Sequence, residues 1–170
     1  MVLVGLMGSG KSNVGRRLAT RLGWDFKDSD AEFEEAAGCT IADYFTRHGE
    51  ASFRDGERKV IARLLEGPRC VLATGGGAFM NEETRAQIKS NAYSVWLRAE
   101  LDLLVRRTAG RDHRPLLRQG DPRQILADLM AVRYPIYAQA DVTVDTTDEP
   151  PDVTTKCVLD ALSSLIETRP

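Results

Sequence analysis

The chain has 170 residues, 23 basic and 25 acidic side chains and a net charge of −2, which fits one domain spanning 1–170 and excludes a uniformly basic nucleic-acid binder. Three scattered cysteines (Cys39, Cys70, Cys157) and two histidines form neither a zinc pattern nor a redox pair, so reduced thiols and a cytoplasmic setting are expected. No apolar run approaches the ~20 residues of a membrane span, and no signal peptide is expected before the first glycine loop.

In chain order, Val2 to Val4 reads as a buried strand and Ser12 to Leu22 as a helix, with Val14, Leu18 and Leu22 at helical spacing. Trp24 to Lys27 is a second strand. Helices are predicted near Ala31–Ala37, Ile41–Arg47 and Ala51–Leu65. Cys70 to Thr74 is a third strand, ended by Gly75, Gly76 and Gly77. A helix over Glu82–Ser90, a strand over Tyr93–Leu97 and a helix over Leu101–Thr108 follow. Arg111 to Gly120 is polar and Arg-rich, and reads as a loop. Pro122 to Ala138 is helical with an interruption expected at Pro135. Val142 to Asp145 is the last strand and Val153 to Ile166 the closing helix. This alternation predicts an α/β fold, a parallel sheet covered by helices on both faces.

Gly5-Leu-Met-Gly-Ser-Gly-Lys11-Ser12 matches G-x-x-x-x-G-K-[ST], with a strand before it and a helix after it. Glycines let successive backbone N–H groups turn toward phosphate oxygens, and the new helix adds the positive end of its dipole. Lys11 is expected to reach the β- and γ-phosphates of ATP, and the Ser12 hydroxyl to ligate Mg²⁺. Gly8, Ser9, Gly10 and Asn13 complete the nucleotide-side residues, with no separate role for the Asn13 side chain. The D-x-x-G and N-K-x-D elements of a GTPase are absent, and neither the third nor the fourth predicted strand ends in the Asp of a mechanical ATPase.

Ligands of open α/β sheets gather at the carboxyl ends of the strands. Asp28 and Asp30 stand there, expected on one side of an extended turn because alternate residues share a face. One carboxylate can serve the metal and the other can take a proton from an attacking hydroxyl. A helix N-cap is the competing role. The glycine triplet permits close approach of backbone to a ligand. Of the 23 basic residues 18 are Arg. Arg54, Arg107, Arg114 and Arg133 would each, taken alone, be solvated surface residues.

Taken together, GLMGSGKS at 5–12, DSD at 28–30, Phe53-Arg54, TGGGA at 74–78, RRTAGRDHRPLL at 106–117, Arg133 in MAVRYPIY and VDTTDEPP at 144–151 resemble the shikimate kinase family. The glycine loop is common to many families, whereas the rest of the series in this order is specific. The resemblance implies a three-layer P-loop fold with a five-stranded parallel sheet in the order 2-3-1-4-5. It implies a substrate-binding region at about 30–62 and a mobile lid at about 110–121. It also implies Mg²⁺-dependent transfer of the ATP γ-phosphoryl group to the 3-hydroxyl of shikimate by a monomer, without nucleic acid or membrane.

By the same resemblance, Asp28 supports the metal through water, and Asp30 holds the acceptor hydroxyls and serves as base. Arg54 and Arg133 grip the acceptor carboxylate, and Gly75, Gly76 and Gly77 lend backbone N–H groups. Arg114 reaches over the transferring phosphoryl group. Arg107 lies along the adenine, with Pro151 near its edge. Ser29 and Asn13 stand where the family often has Thr, and Pro150 where it often has Asn. Two other readings share the loop: a gluconate or nucleoside-monophosphate kinase, and a nucleotide-binding domain that signals without catalysis.

Overall fold

A computed structural model describes residues 1–109 and 120–168 of the protein. Five strands form one parallel sheet: β1 (Val2–Val4), β2 (Asp25–Asp28), β3 (Cys70–Ala73), β4 (Ser94–Ala99) and β5 (Val142–Thr146). Their order is β2-β3-β1-β4-β5, as the resemblance implies. β1 is central, with Leu3 in register with Ala73 on one side and Val95 on the other.

The period-2 alternation of strand side chains divides the core into two layers. Val2, Val4, Leu72 and Trp96 face one side, where they join Ile61, Phe79, Ile88, Leu104 and Tyr137. Leu3, Val71, Val95, Leu97 and Val144 face the other, where they meet Val14, Leu18, Val158 and Leu162. The second layer is built by helices α1 (Lys11–Leu22) and α7 (Pro151–Thr168). The first takes residues from α3 (Ile41–Glu66), α4 (Glu82–Asn91), α5 (Leu101–Thr108) and α6 (Pro122–Tyr137). Helix α2 (Ser29–Ala37) packs on α3 through a smaller cluster of Phe33, Phe53 and Val60. No helix among the described residues is long and apolar enough to cross a membrane.

Two sequence expectations change. The second strand is displaced by one residue, and α2 begins at Ser29 rather than Ala31. Asp28 and Asp30 therefore do not sit on an extended turn: Asp28 ends β2 as the α2 N-cap, and Asp30 lies in the first helical turn. Pro135 does not interrupt α6, which runs on to Tyr137; only its final turn bears the missing N–H. The expected break between Ile41–Arg47 and Ala51–Leu65 is present at Gly49, with φ 77° and ψ 173° inside α3. A short 3-10 turn, Ala78–Met80, follows the glycine triplet. Of the expected lid at about 110–121, residues 110–119, Arg114 among them, lie outside the described residues.

Candidate active site

The phosphate loop leaves the carboxyl end of the central strand. Gly5, Gly8 and Gly10 have φ of +147°, +85° and +97°, a region that L side chains enter only at a cost. The Ser9 N–H donates to the Leu6 carbonyl at 3.1 Å and closes the loop. Gly10 occupies the N-cap position of α1 and offers no side chain to its first turn. Helices α2, α3, α4 and α6 are instead capped by Asp28, Thr40, Asn81 and Asp121. The α1 N–H groups thus face the loop without a side-chain acceptor, an arrangement suited to an anion. The Lys11 ammonium folds over the loop and donates to the Gly5 and Leu6 carbonyls at 2.7 and 3.0 Å.

Asp28 caps α2 and also reaches the start of α1. Its Oδ1 accepts from the Asp30 N–H at 3.1 Å, and its Oδ2 accepts from the Ser12 hydroxyl at 3.2 Å. A hydroxyl and a carboxylate oxygen side by side suit Mg²⁺, which takes few protein oxygens and completes its shell with phosphate and water. Among the described residues no cluster of three His, Cys, Asp or Glu offers an all-protein metal cage.

Arg107 lies along the other flank. Its Nη1 donates to the Gly8 carbonyl and the Thr146 hydroxyl, each at 3.3 Å, and its Nη2 donates to the Thr147 carbonyl. It braces the phosphate loop against the end of β5. Pro151, half-buried, opens α7 just beyond. The exposed Asn13 side chain accepts from Arg17, which also pairs with Asp152 at 3.3 Å.

The glycine triplet forms the wall facing this loop, and each of its glycines is crowded by a different side chain. A methyl group on Gly75 would lie 2.6 Å from Asp30 Oδ1 and 2.9 Å from Glu57 Oε1. On Gly76 it would lie 3.0 Å from Arg133 Nη1, and on Gly77 2.5 Å from Arg54 Nη1. None of the three has positive φ, so clearance rather than backbone freedom demands glycine here. The backbone accounting is equally specific. The Gly75 N–H donates to Ser29 Oγ at 3.0 Å. The Gly75 and Gly77 carbonyls accept from Ala78 and Met80, each at 3.1 Å, and the Gly76 carbonyl accepts from the Tyr137 hydroxyl. Among the described residues this leaves the N–H groups of Gly76 and Gly77 for a ligand, while the Gly75 N–H is taken by Ser29.

Asp30, Arg54 and Arg133 thus meet around one turn, with Glu57 among them. Glu57 is 4% exposed, and its Oε2 receives Arg54 Nη1 at 2.7 Å. Burial raises its pKa, against the pull of Arg54 and Arg133. The sequence signal for Glu57 was its place three residues after Arg54 on a helix. Ser29 and Tyr137 reach the glycine turn only through the fold, and no local sequence signal marks them. Burial pushes the Asp30 carboxyl up to about 6, helped by the negative charges of Asp28 and Glu57 and opposed by Lys11. A carboxyl poised there is a better proton acceptor near neutrality than an ordinary one. Beside it a cavity of about 600 Å³ is lined by Arg54, Glu57, Gly77, Leu129 and Arg133, among others.

The shikimate kinase family model matches residues 7–163. A shikimate kinase of Paramagnetospirillum magneticum is 65% identical over 167 residues, covering 98% of this chain and 86% of the relative. The chain belongs to the shikimate kinase family. A shikimate kinase from Acinetobacter baumannii, solved in complex with shikimate, superposes with a TM-score of 0.90 at 39% identity, over 96% of this chain and 92% of that one. A gluconokinase from Sinorhizobium meliloti shares the fold, with a TM-score of 0.64 at 20% identity over 98% and 93% of the two chains.

Proposed function

We infer that this member of the shikimate kinase family transfers the γ-phosphoryl group of ATP to the 3-hydroxyl of shikimate, giving shikimate 3-phosphate and ADP. The observation that carries the reading is the convergence of Asp30, Arg54 and Arg133 on the Gly75–Gly77 turn, facing the phosphate loop. A polyhydroxylated carboxylic acid needs this chemistry. Two guanidiniums bind its carboxylate through paired N–H···O bonds, and an acidic group receives its hydroxyls.

In the proposed mechanism the backbone N–H groups of Gly8–Ser12 and the Lys11 ammonium neutralise the triphosphate. When bound, Mg²⁺ held by Ser12, with Asp28 acting through water, supplies further charge neutralisation on the phosphates. Lys11 gives up its contacts with the Gly5 and Leu6 carbonyls as it turns to phosphate oxygen. Asp30 aligns the acceptor hydroxyl and takes its proton, which its raised pKa favours. Arg54, steadied by Glu57, and Arg133 fix the carboxylate, while Gly76 and Gly77 N–H groups add two donors. Phosphoryl transfer depends on such positioning and neutralisation far more than on covalent help. Arg114 covers the transferring group and Arg107 with Pro151 flanks the adenine, roles proposed from the family resemblance. A cytoplasmic monomer is proposed with it, from the family resemblance.

A coupled ADP-release assay with shikimate, gluconate and a nucleoside monophosphate tests this. Turnover of shikimate alone is expected; turnover of either other acceptor without shikimate would overturn it.

A further inference from the structure

Tyr137 takes no part in the chemistry above, yet it touches two of the groups that do. It is fully buried at the end of α6, behind the cavity wall. Its hydroxyl donates to the Gly76 carbonyl across a sequence separation of 61 residues. Arg133 sits one helical turn earlier and lies against the same hydroxyl. Both converge on one point: a methyl group on Gly76 would lie 3.0 Å from Arg133 Nη1 and 3.8 Å from the Tyr137 oxygen. A phenol so buried holds its proton, pushed up to about 12, and therefore stays a donor.

The geometry of a trans peptide gives that contact a direction. No cis peptide occurs among the described residues, so the Gly76 carbonyl and the Gly77 N–H point opposite ways from one plane. A carbonyl drawn back toward Tyr137 turns the following N–H forward, on the side where Gly77 lines the cavity with Arg54, Glu57 and Arg133. The glycine peptide carries no side chain of its own to fix its rotation.

We propose that Tyr137 is a positioning residue of the acceptor site: its hydroxyl anchors the Gly76 carbonyl, which aims the Gly77 N–H into the cavity, and steadies the Arg133 guanidinium beside it. The role rests on the acceptor reading given above. It makes the back wall, as well as the lining, part of acceptor recognition.

Tyr137→Phe keeps the ring and deletes the hydroxyl. The expected result is a rise of about 5–20-fold in KM for shikimate, with KM for ATP within about twofold and kcat within about threefold. Tyr134→Phe is the control, because its hydroxyl also donates to a backbone carbonyl, that of Ala99, away from the glycine turn. It should leave both KM values unchanged. Combined with Arg133→Lys, Tyr137→Phe should raise KM by less than the product of the single effects, since both act on one carboxylate contact. Equal rises in the two KM values, an unchanged KM for shikimate, or a variant that loses ADP binding along with shikimate binding would each reduce Tyr137 to a packing residue and overturn the proposal. A wild type that does not turn shikimate over would instead sink the functional reading, independently of Tyr137.

Discussion

The two glycine-rich stretches that face each other across the site solve different problems. In the phosphate loop Gly5, Gly8 and Gly10 adopt positive φ, which lets the backbone N–H groups turn inward beside Lys11 and Ser12. In the second turn Gly75, Gly76 and Gly77 have ordinary φ and are small so that Asp30, Arg133 and Arg54 can press against them. The proposed donor half is therefore contiguous in sequence and carried largely by main chain, with the Lys11 and Ser12 side chains. The proposed acceptor half is assembled from α2, α3, the glycine turn and α6, and carried largely by side chains, with two glycine N–H groups. A loop of the first kind recognises any triphosphate; a site of the second kind chooses its acceptor.

The largest effect that separates the halves is expected at Asp30. Asp30→Asn should lower kcat by about 10²–10⁴-fold, the usual range for a general base, with KM for ATP nearly unchanged. The wild-type rate should fall as pH drops through about 6, where Asp30 gains its proton. Stability should move the other way. A carboxyl with a higher pKa folded than unfolded binds extra protons in the folded state between the two values. Its cost to the fold thus grows as pH rises from 3.8 to about 6 and is constant above. Asp30→Asn removes that cost, a gain of at most about 3 kcal/mol at neutral pH that vanishes near pH 4. Thermal melts across pH check it; a variant less stable than wild type at neutral pH would show that Asp30 holds the fold together. Next comes Lys11→Ala, expected to reduce turnover by about 10²–10³-fold through loss of a preorganised cation at the phosphates. Near-wild-type turnover would detach the loop from the chemistry.

The same contrast explains what could be read from sequence. The phosphate loop was legible because its eight residues, strand and helix are neighbours in the chain. The sheet order came from the resemblance, and the two-faced core from strand–helix alternation. The acceptor half was legible only through the order of its scattered motifs, since nothing local distinguishes Arg54 or Arg133 from a solvated arginine. Glu57 and Tyr137 escaped because each looks like an ordinary helix residue until the fold brings it to the glycine turn. Asp28 was ambiguous between cap and ligand because its two oxygens face different ways: one caps α2 while the other meets Ser12.

Arg133→Ala sharpens the comparison from the acceptor side. Loss of charged hydrogen bonds should raise KM for shikimate by about 10–100-fold, with a much smaller change for ATP. Equal effects on both substrates would move Arg133 out of the acceptor half.

The smallest effects give the most direct test, because they set glycine against glycine. Gly77→Ala would put a methyl group 2.5–2.7 Å from the Arg54 guanidinium, so the arginine must swing aside and weaken its pair with Glu57. An increase of about tenfold in KM for shikimate is expected, with ATP binding intact. Gly10→Ala meets nothing closer than 3.8 Å, from Arg107, but must hold φ near +97°. Its cost is backbone strain of about 1–2 kcal/mol at the loop, and it should fall on ATP affinity. Steady-state kinetics with each substrate varied in turn reads both. If Gly77→Ala disturbed ATP as much as shikimate, or Gly10→Ala disturbed shikimate alone, clearance and backbone freedom would not be what divides the two turns.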